Sequence, residues 1–314
     1  MRVLVTGARG KVGRAAVAVL QRAGHEVTAT DMAPVDWDRA PAGTAPYVRA
    51  DLTDAGEVHA LVGGCVLPEG ATPGRFDAVV HAGAIPGPGH HAPHVVFGNN
   101  IMATFNVVEA CVRWGVPRLV NLSSEAVPGF VFPERHFLPE YVPFDEAHPV
   151  RPQDPYALSK YFGEQLCTAA VQRSDLRCVS LRPTWVQDHA SYHPNLGPVL
   201  ADPGQPSTLG WAYVDVDDLA EAIRLAVECD LPGHEVFCIS AEDNLGGGDL
   251  HEMWRAMFPD SPTELRPVSR PDASAVDTSR ARKLLGWRPA HSWRDHLTEA
   301  GDPLPAIALD TAPQ

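Results

Sequence analysis

Through the first half of the chain, short runs of β-branched and apolar residues alternate with longer stretches whose apolar positions recur every three to four residues. Residues 3–6, 26–30, 78–81, 118–122 and 177–181 predict strands, since each is a brief apolar run between turn-forming or polar residues. Residues 12–23, 101–114 and 155–172 predict helices, and Gly24 ends the first of them. Parallel neighbours need a long crossover, which a helix supplies. The alternation therefore predicts an α/β fold on a doubly wound parallel sheet.

Past Arg182 the pattern changes. Pro183, Pro194, Pro198, Pro203 and Pro206 crowd one segment and predict short elements, so a boundary is placed near residue 185. Residues 211–216 and 235–239 again read as strands, and the sheet of domain 1–185 is expected to be rejoined within 211–239. The rest of 186–300 reads as a smaller, discontinuous substrate-binding region that finishes in helix near His296. Residues 301–314, with three prolines and little pattern, read as a flexible tail.

Composition narrows the function. Twenty-five Lys and Arg against 39 Asp and Glu leave a net charge of −14, which opposes binding to nucleic acid or an anionic membrane. No uninterrupted apolar stretch approaches the roughly 20 residues that span a bilayer, and a strand-like run begins at Arg2 in place of a signal peptide. A cytoplasmic protein is expected. Six scattered cysteines without a Cys-x-x-Cys pair suit reduced core thiols better than disulfides or zinc.

Two motifs carry chemistry. Gly7-Ala8-Arg9-Gly10-Lys11-Val12-Gly13 joins the first strand to the first helix, where glycines permit close approach of a pyrophosphate to free helix amides. Asp31 closes the second strand, where a carboxylate accepts from an adenosine ribose diol and repels a 2′-phosphate, so NAD is favoured over NADP. Arg9 and Lys11 weigh the other way, as partners for an extra phosphate. The second motif is Asp154-Pro155-Tyr156-Ala157-Leu158-Ser159-Lys160, a helix start that places Tyr156 and Lys160 one turn apart. Ser123 and Ser124 leave a strand at the edge where such sheets bind ligands, and Ser124 is the candidate to orient a substrate oxygen.

Together with Asp51-Leu52, His81-Ala82-Gly83-Ala84, Asn100-x-x-x-Thr104, Arg182-Pro183, Tyr213-Val214-Asp215-Val216-Asp217-Asp218 and Leu284-Leu285-Gly286-Trp287-x-Pro289, these motifs resemble the extended short-chain dehydrogenases/reductases. That group holds NAD-dependent sugar epimerases, dehydratases and uronate dehydrogenases. The resemblance runs from Val3 to about Pro289 and implies a Rossmann domain. It implies that Tyr156 is the acid/base, that Lys160 holds the nicotinamide ribose and lowers the phenol's pKa, and that Ser124 binds the reacting oxygen. Asp51 and Leu52 would lie along the adenine, Ala82, Gly83 and Ala84 along the cofactor backbone, and Asn100 near the active site. It further implies a homodimer pairing 101–114 and 155–172 with their copies as a four-helix bundle.

The departures bear on substrate. Ser124-Glu125-Ala126 stands where nucleotide-sugar dehydratases carry Thr-Asp-Glu, and Ala126 cannot move a proton, so dehydration is disfavoured. Trp185 begins a segment unlike that of the galactose epimerases. Arg182, Arg266, Arg270 and Arg280 are candidate partners for an anionic substrate, Trp185 and Ser123 further contacts. His81, His90, His91 and His94 lack the spacing of a metal site, and no metal is expected. The loops holding His90 to His94 and residues 130–143 are expected to wall the pocket. An epimerase with a transient ketone leads, with a uronate or aldose dehydrogenase behind it and a dinucleotide-sensing regulator as the reading from another class.

Overall fold

The computed structural model describes residues 1–34, 44–67, 71, 74–89, 91–202 and 211–304. In chain order the first half runs β1 Arg2–Thr6, α1 Lys11–Arg22, β2 Glu26–Asp31, β3 Tyr47–Arg49, α2 Ala55–Val62, β4 Ala78–His81, α3 Pro93–Trp114, β5 Arg118–Leu122, β6 Tyr141–Val142 and α4 Pro155–Arg173. The second runs β7 Arg177–Pro183, β8 Trp185–Gln187, α5 Tyr192–Ala201, β9 Tyr213–Asp215, α6 Val216–Glu228, β10 His234–Ile239, α7 Leu250–Met257, β11 Glu264–Leu265 and α8 Ser279–Leu284.

Seven strands form one parallel sheet in the order β10-β7-β5-β4-β1-β2-β3. Strand order reverses between β1 and β4, which opens a crevice at the carboxyl edge. Alternate residues supply opposite layers. Val3 and Val5 pack with Ala16 and Leu20 of α1 and Leu219 and Ile223 of α6, whereas Leu4 packs with α2, α3 and α4 through Leu61, Val107 and Cys167. Burial on both faces is why β4 and β5 read as mostly apolar runs, with His81, Arg118 and Asn121 the buried polar members.

The structure corrects several expectations. The 211–216 strand is β9, and it pairs with β8 away from the main sheet; β10 rejoins the sheet beside β7. Asp215 accepts from the Asp217 amide and starts α6 at Val216, so the strand is cut short by a helix cap. The last hundred residues are less helical than expected. Between α7 and α8 lie Pro259, Pro262, Pro267 and Pro271, and near His296 there is only a single 3-10 turn, Trp293–Asp295.

Helix α3 begins at Pro93, ahead of the predicted residue 101, with proline in its first turn and Gly98 inside it. At that length it is apolar enough to cross a membrane by composition, contrary to the sequence expectation. Half of its most apolar window is buried against neighbouring elements, as in a core helix. Of the predicted tail, 301–304 are held by the Leu304 amide donating to His296 and by Gly301 lying against Gly197; 305–314 lie outside the described residues. All six cysteines are free, and Cys111, Cys167, Cys178 and Cys238 are buried.

Two of the sequence motifs turn out to brace each other. Asp218 accepts from the amides of Ala290 and His291, and its carbonyl accepts from the Trp287 indole. The 213–218 and 284–289 motifs thus tie α6 to the chain that follows α8.

Candidate active site

The crevice at the carboxyl edge holds two hollows that share Gly7, Gly10, Ala82 and Ala84. One, of about 230 Å³, is lined by Asp31, Met32, Asp51, Leu52 and Asn99. The other, of about 810 Å³, is lined by Ser123, Ser124, Glu125, Tyr156, Lys160 and Trp185 among others.

The wall between them is shaped by missing side chains. Gly7 has φ +64°, and a Cβ there would stand 2.6 Å from the Gly83 backbone. A Cβ on Gly13 would stand 2.1 Å from the Gly7 carbonyl oxygen. Gly10 precedes α1 as its N-cap and offers no side chain to the first amides of the helix, which are left for an anion. The Asp31 carboxylate accepts from the Arg9 amide at 3.0 Å and stays at the rim of the smaller hollow. These residues fit a nicotinamide dinucleotide: diphosphate on Gly10, Lys11, Val12 and Gly13, adenosine along Asp31, Asp51 and Leu52. The basic side chains are otherwise engaged. Arg9 donates to the Pro34 carbonyl, and Lys11 Nζ donates to Ser191 and the Val186 carbonyl, 3.4 Å from Asp188.

Tyr156 and Lys160 sit where the cap predicted. Asp154 Oδ1 accepts from the amides of Tyr156 and Ala157, each at 2.9 Å, and Pro155 occupies the first turn of α4. Lys160 Nζ lies 5.7 Å from the Tyr156 ring centre and donates to the Leu122 carbonyl at 2.8 Å, so the helix is pinned to the end of β5. Burial drives both groups toward neutrality: the ammonium is pulled down to about 8 and the phenol pushed up to about 12. Glu125 and Asp154 reinforce the rise of the phenol, while a hydrogen bond with the Ser124 hydroxyl opposes it.

A family model described as the NAD-dependent epimerase/dehydratase family matches residues 3–187. The chain belongs to that family. It is 27% identical to a UDP-glucose 4-epimerase of Corynebacterium glutamicum, covering 93% of this chain and 92% of that one. It is 31% identical to a uronate dehydrogenase of Pseudomonas putida, over 77% of each. Among solved structures, a UDP-glucose 4-epimerase from Stenotrophomonas maltophilia with bound NAD superposes with a TM-score of 0.66 at 26% identity, covering 94% of this chain and 95% of that one.

Within this member of the family several predicted contacts serve the scaffold instead. Arg182 is buried and bound through Nε and Nη2 to Glu164 at 2.8 and 2.7 Å, so it does not reach the cleft. Ser123 Oγ donates to the same carboxylate at 2.6 Å. Arg280 pairs with Glu235, Arg266 stacks on Tyr141 beside Asp145, and Arg270 pairs with Asp272 and Glu242. Asn100 brackets the backbone of Ile85 from both sides and thereby fixes the turn after β4; its neighbour Asn99 lines the hollow.

His81 is buried between the hydroxyls of Thr6 and Thr104 and, through burial and the nearby Lys160, is held neutral, down to about 3. His91 lies in the loop before α3 and His94 in its first turn, both exposed; His90 lies outside the described residues. Of the 130–143 loop, Val131 and Phe132 do wall the cleft, Phe132 edge-on to Tyr156. Thr184 and Val186 were missed because a lone threonine and valine carry no sequence signal.

Proposed function

We propose that this enzyme oxidises a hydroxyl of a carbohydrate or sugar nucleotide and returns the hydride to the other face of the transient ketone, as an epimerase does. The observation that carries the reading is the convergence of Ser124, Tyr156 and Lys160 on one wall of a cleft that opens onto the dinucleotide cradle. NAD, when bound, supplies the acceptor and donor of hydride. Tyr156 Oη takes the hydroxyl proton and gives it back, Ser124 Oγ orients the oxygen, and Lys160 secures the ribose side while its charge favours phenolate. Residues 186–300, apart from those that rejoin the sheet, are assigned to substrate binding, with Val186 on the cleft wall. The six free thiols suit a reducing compartment such as the cytoplasm.

The uronate dehydrogenase likeness favours a second reading, in which the ketone or lactone leaves and NADH accumulates. Incubation with UDP-glucose, UDP-galactose, glucuronate and galacturonate separates the two. Interconversion of the nucleotide sugars without net NADH is expected, and stoichiometric NADH release from a uronate would replace the epimerase reading by the dehydrogenase one. Binding of NAD without turnover of any sugar would point to the regulator.

A homodimer belongs to the same proposal. Met102 and Phe105 on α3 and Phe162 on α4 are each more than 40% exposed, an apolar surface on two adjacent helices that a second copy would cover. Sedimentation should show a species of twice 33.8 kDa, converted to monomer by Phe105→Glu with Phe162→Glu. A monomer at every concentration would dismiss the bundle.

A further inference from the structure

One carboxyl in the cleft has no task in the reaction above. Glu125 follows Ser124 at the end of β5, held by its amide donating to the Pro183 carbonyl at 3.1 Å. It is 6% exposed, yet it lines the larger hollow together with Ser124, Tyr156 and Trp185. Its Oε2 is fully buried and meets no hydrogen-bond partner.

The cations that could have paired with it are committed elsewhere. Lys160 donates to the Leu122 carbonyl, Arg182 is clasped by Glu164 through Nε and Nη2 with its Nη1 buried and unpartnered, and Lys11 is held by Ser191 and Val186. Buried polar atoms are nearly always satisfied, so an unmet one on the wall of a substrate cleft points to a ligand atom. Burial with no compensating cation raises the carboxyl well above its ordinary range, toward the protonated form.

A protonated carboxyl offers one donor and acceptor capacity in a single plane, the complement of a hydroxyl. A substrate carboxylate at the same place would press a second acid against Glu125 and the Tyr156 phenol. Elimination is not open to it, because the acid would need a base partner and Ala126 follows.

We propose that Glu125 is a specificity-determining residue whose carboxyl gives a hydrogen bond to, and takes one from, a second substrate hydroxyl beside the one held by Ser124 and Tyr156. The proposal rests on the function above and deepens it: the substrate carries neighbouring hydroxyls at the reacting end, and no anionic group there. Gln has the same donor and acceptor in the same plane, so it replaces a neutral acid but not a carboxylate.

The test uses the NAD-loaded full chain and whichever of UDP-glucose, UDP-galactose, glucuronate and galacturonate it turns over, together with that sugar's single-deoxy analogues. Glu125→Gln should stay within about threefold of wild type in kcat/KM, and Glu125→Ala should lose on the order of 10- to 100-fold, chiefly through KM. One deoxy analogue should lose as much with wild type and lose nothing more with Glu125→Ala. Infrared difference spectra of wild type against Glu125→Gln should show a protonated-carboxyl band at neutral pH.

Absence of that band, an unchanged KM in Glu125→Ala, or equal losses in the Gln and Ala variants would each overturn the assignment while leaving the function standing. Fastest turnover of a uronate oxidised beside its own carboxylate would overturn it too. A wild type inert on the whole panel would overturn the function, and this inference with it.

Discussion

Replacing Tyr156 by Phe is expected to lower kcat by roughly 10²- to 10⁴-fold while NAD affinity stays within about threefold. The ring would still fill its place against Phe132, and the α4 start is set by Asp154 and Pro155, so only the hydroxyl proposed to carry the proton is lost. A structural tyrosine would behave in the opposite way, losing stability and little rate. The acidity of the phenol gives a second measurement. Without coenzyme, burial leaves it near 12, so ultraviolet titration should find it unionised through neutral pH. Added NAD, which brings a positive ring, should move that transition downward. Unchanged turnover in the Phe variant, or a titration indifferent to NAD, would remove Tyr156 from the reaction.

The largest loss of stability is expected for Arg182→Ala, about 3 to 5 kcal/mol by urea unfolding. Glu164 is almost fully buried and takes three hydrogen bonds, two from Arg182 and one from Ser123. Removing the guanidinium leaves a carboxylate in the core with no countercharge. The pair itself adds little net stability, because both ions were desolvated to make it. Exchanging the two together for Met and Leu should therefore cost far less than either single change. If the single and double variants unfold at the same urea concentration, the pair is not what holds β7 to α4.

The sheet, the glycine turn and the tyrosine–lysine helix were legible because each rests on a local rule. Strands buried on both faces are mostly apolar, Gly7 and Gly13 leave no room for a Cβ, and Asp154-Pro155 heads a stretch of helical period as cap and first-turn residue. The arginines were not legible. Whether Arg182 meets substrate or Glu164 depends on a residue 18 positions away whose partner no pattern announces. Asn100 shows the same limit: the motif located it at the site, but its amide reaches the Ile85 backbone through the packing of α3 on the turn after β4. The strand read at 211–216 forms as β9 and the sheet is rejoined within 211–239 by β10, but the pairing of β9 was not legible. Apolar alternation gives strand character, but which sheet the strand joins is decided by its partner β8. Glu125 was read as a departure from a dehydratase motif, and its isolation from every cation is visible only in three dimensions.

Lys11 stands in the turn that would carry the diphosphate, and its ammonium is fastened to Val186, Ser191 and Asp188 on the far bank of the cleft. The contact ties the glycine turn to the chain that follows β8 across the larger hollow. A change that loosens residues 186–191 would therefore be felt at the turn proposed to carry the diphosphate.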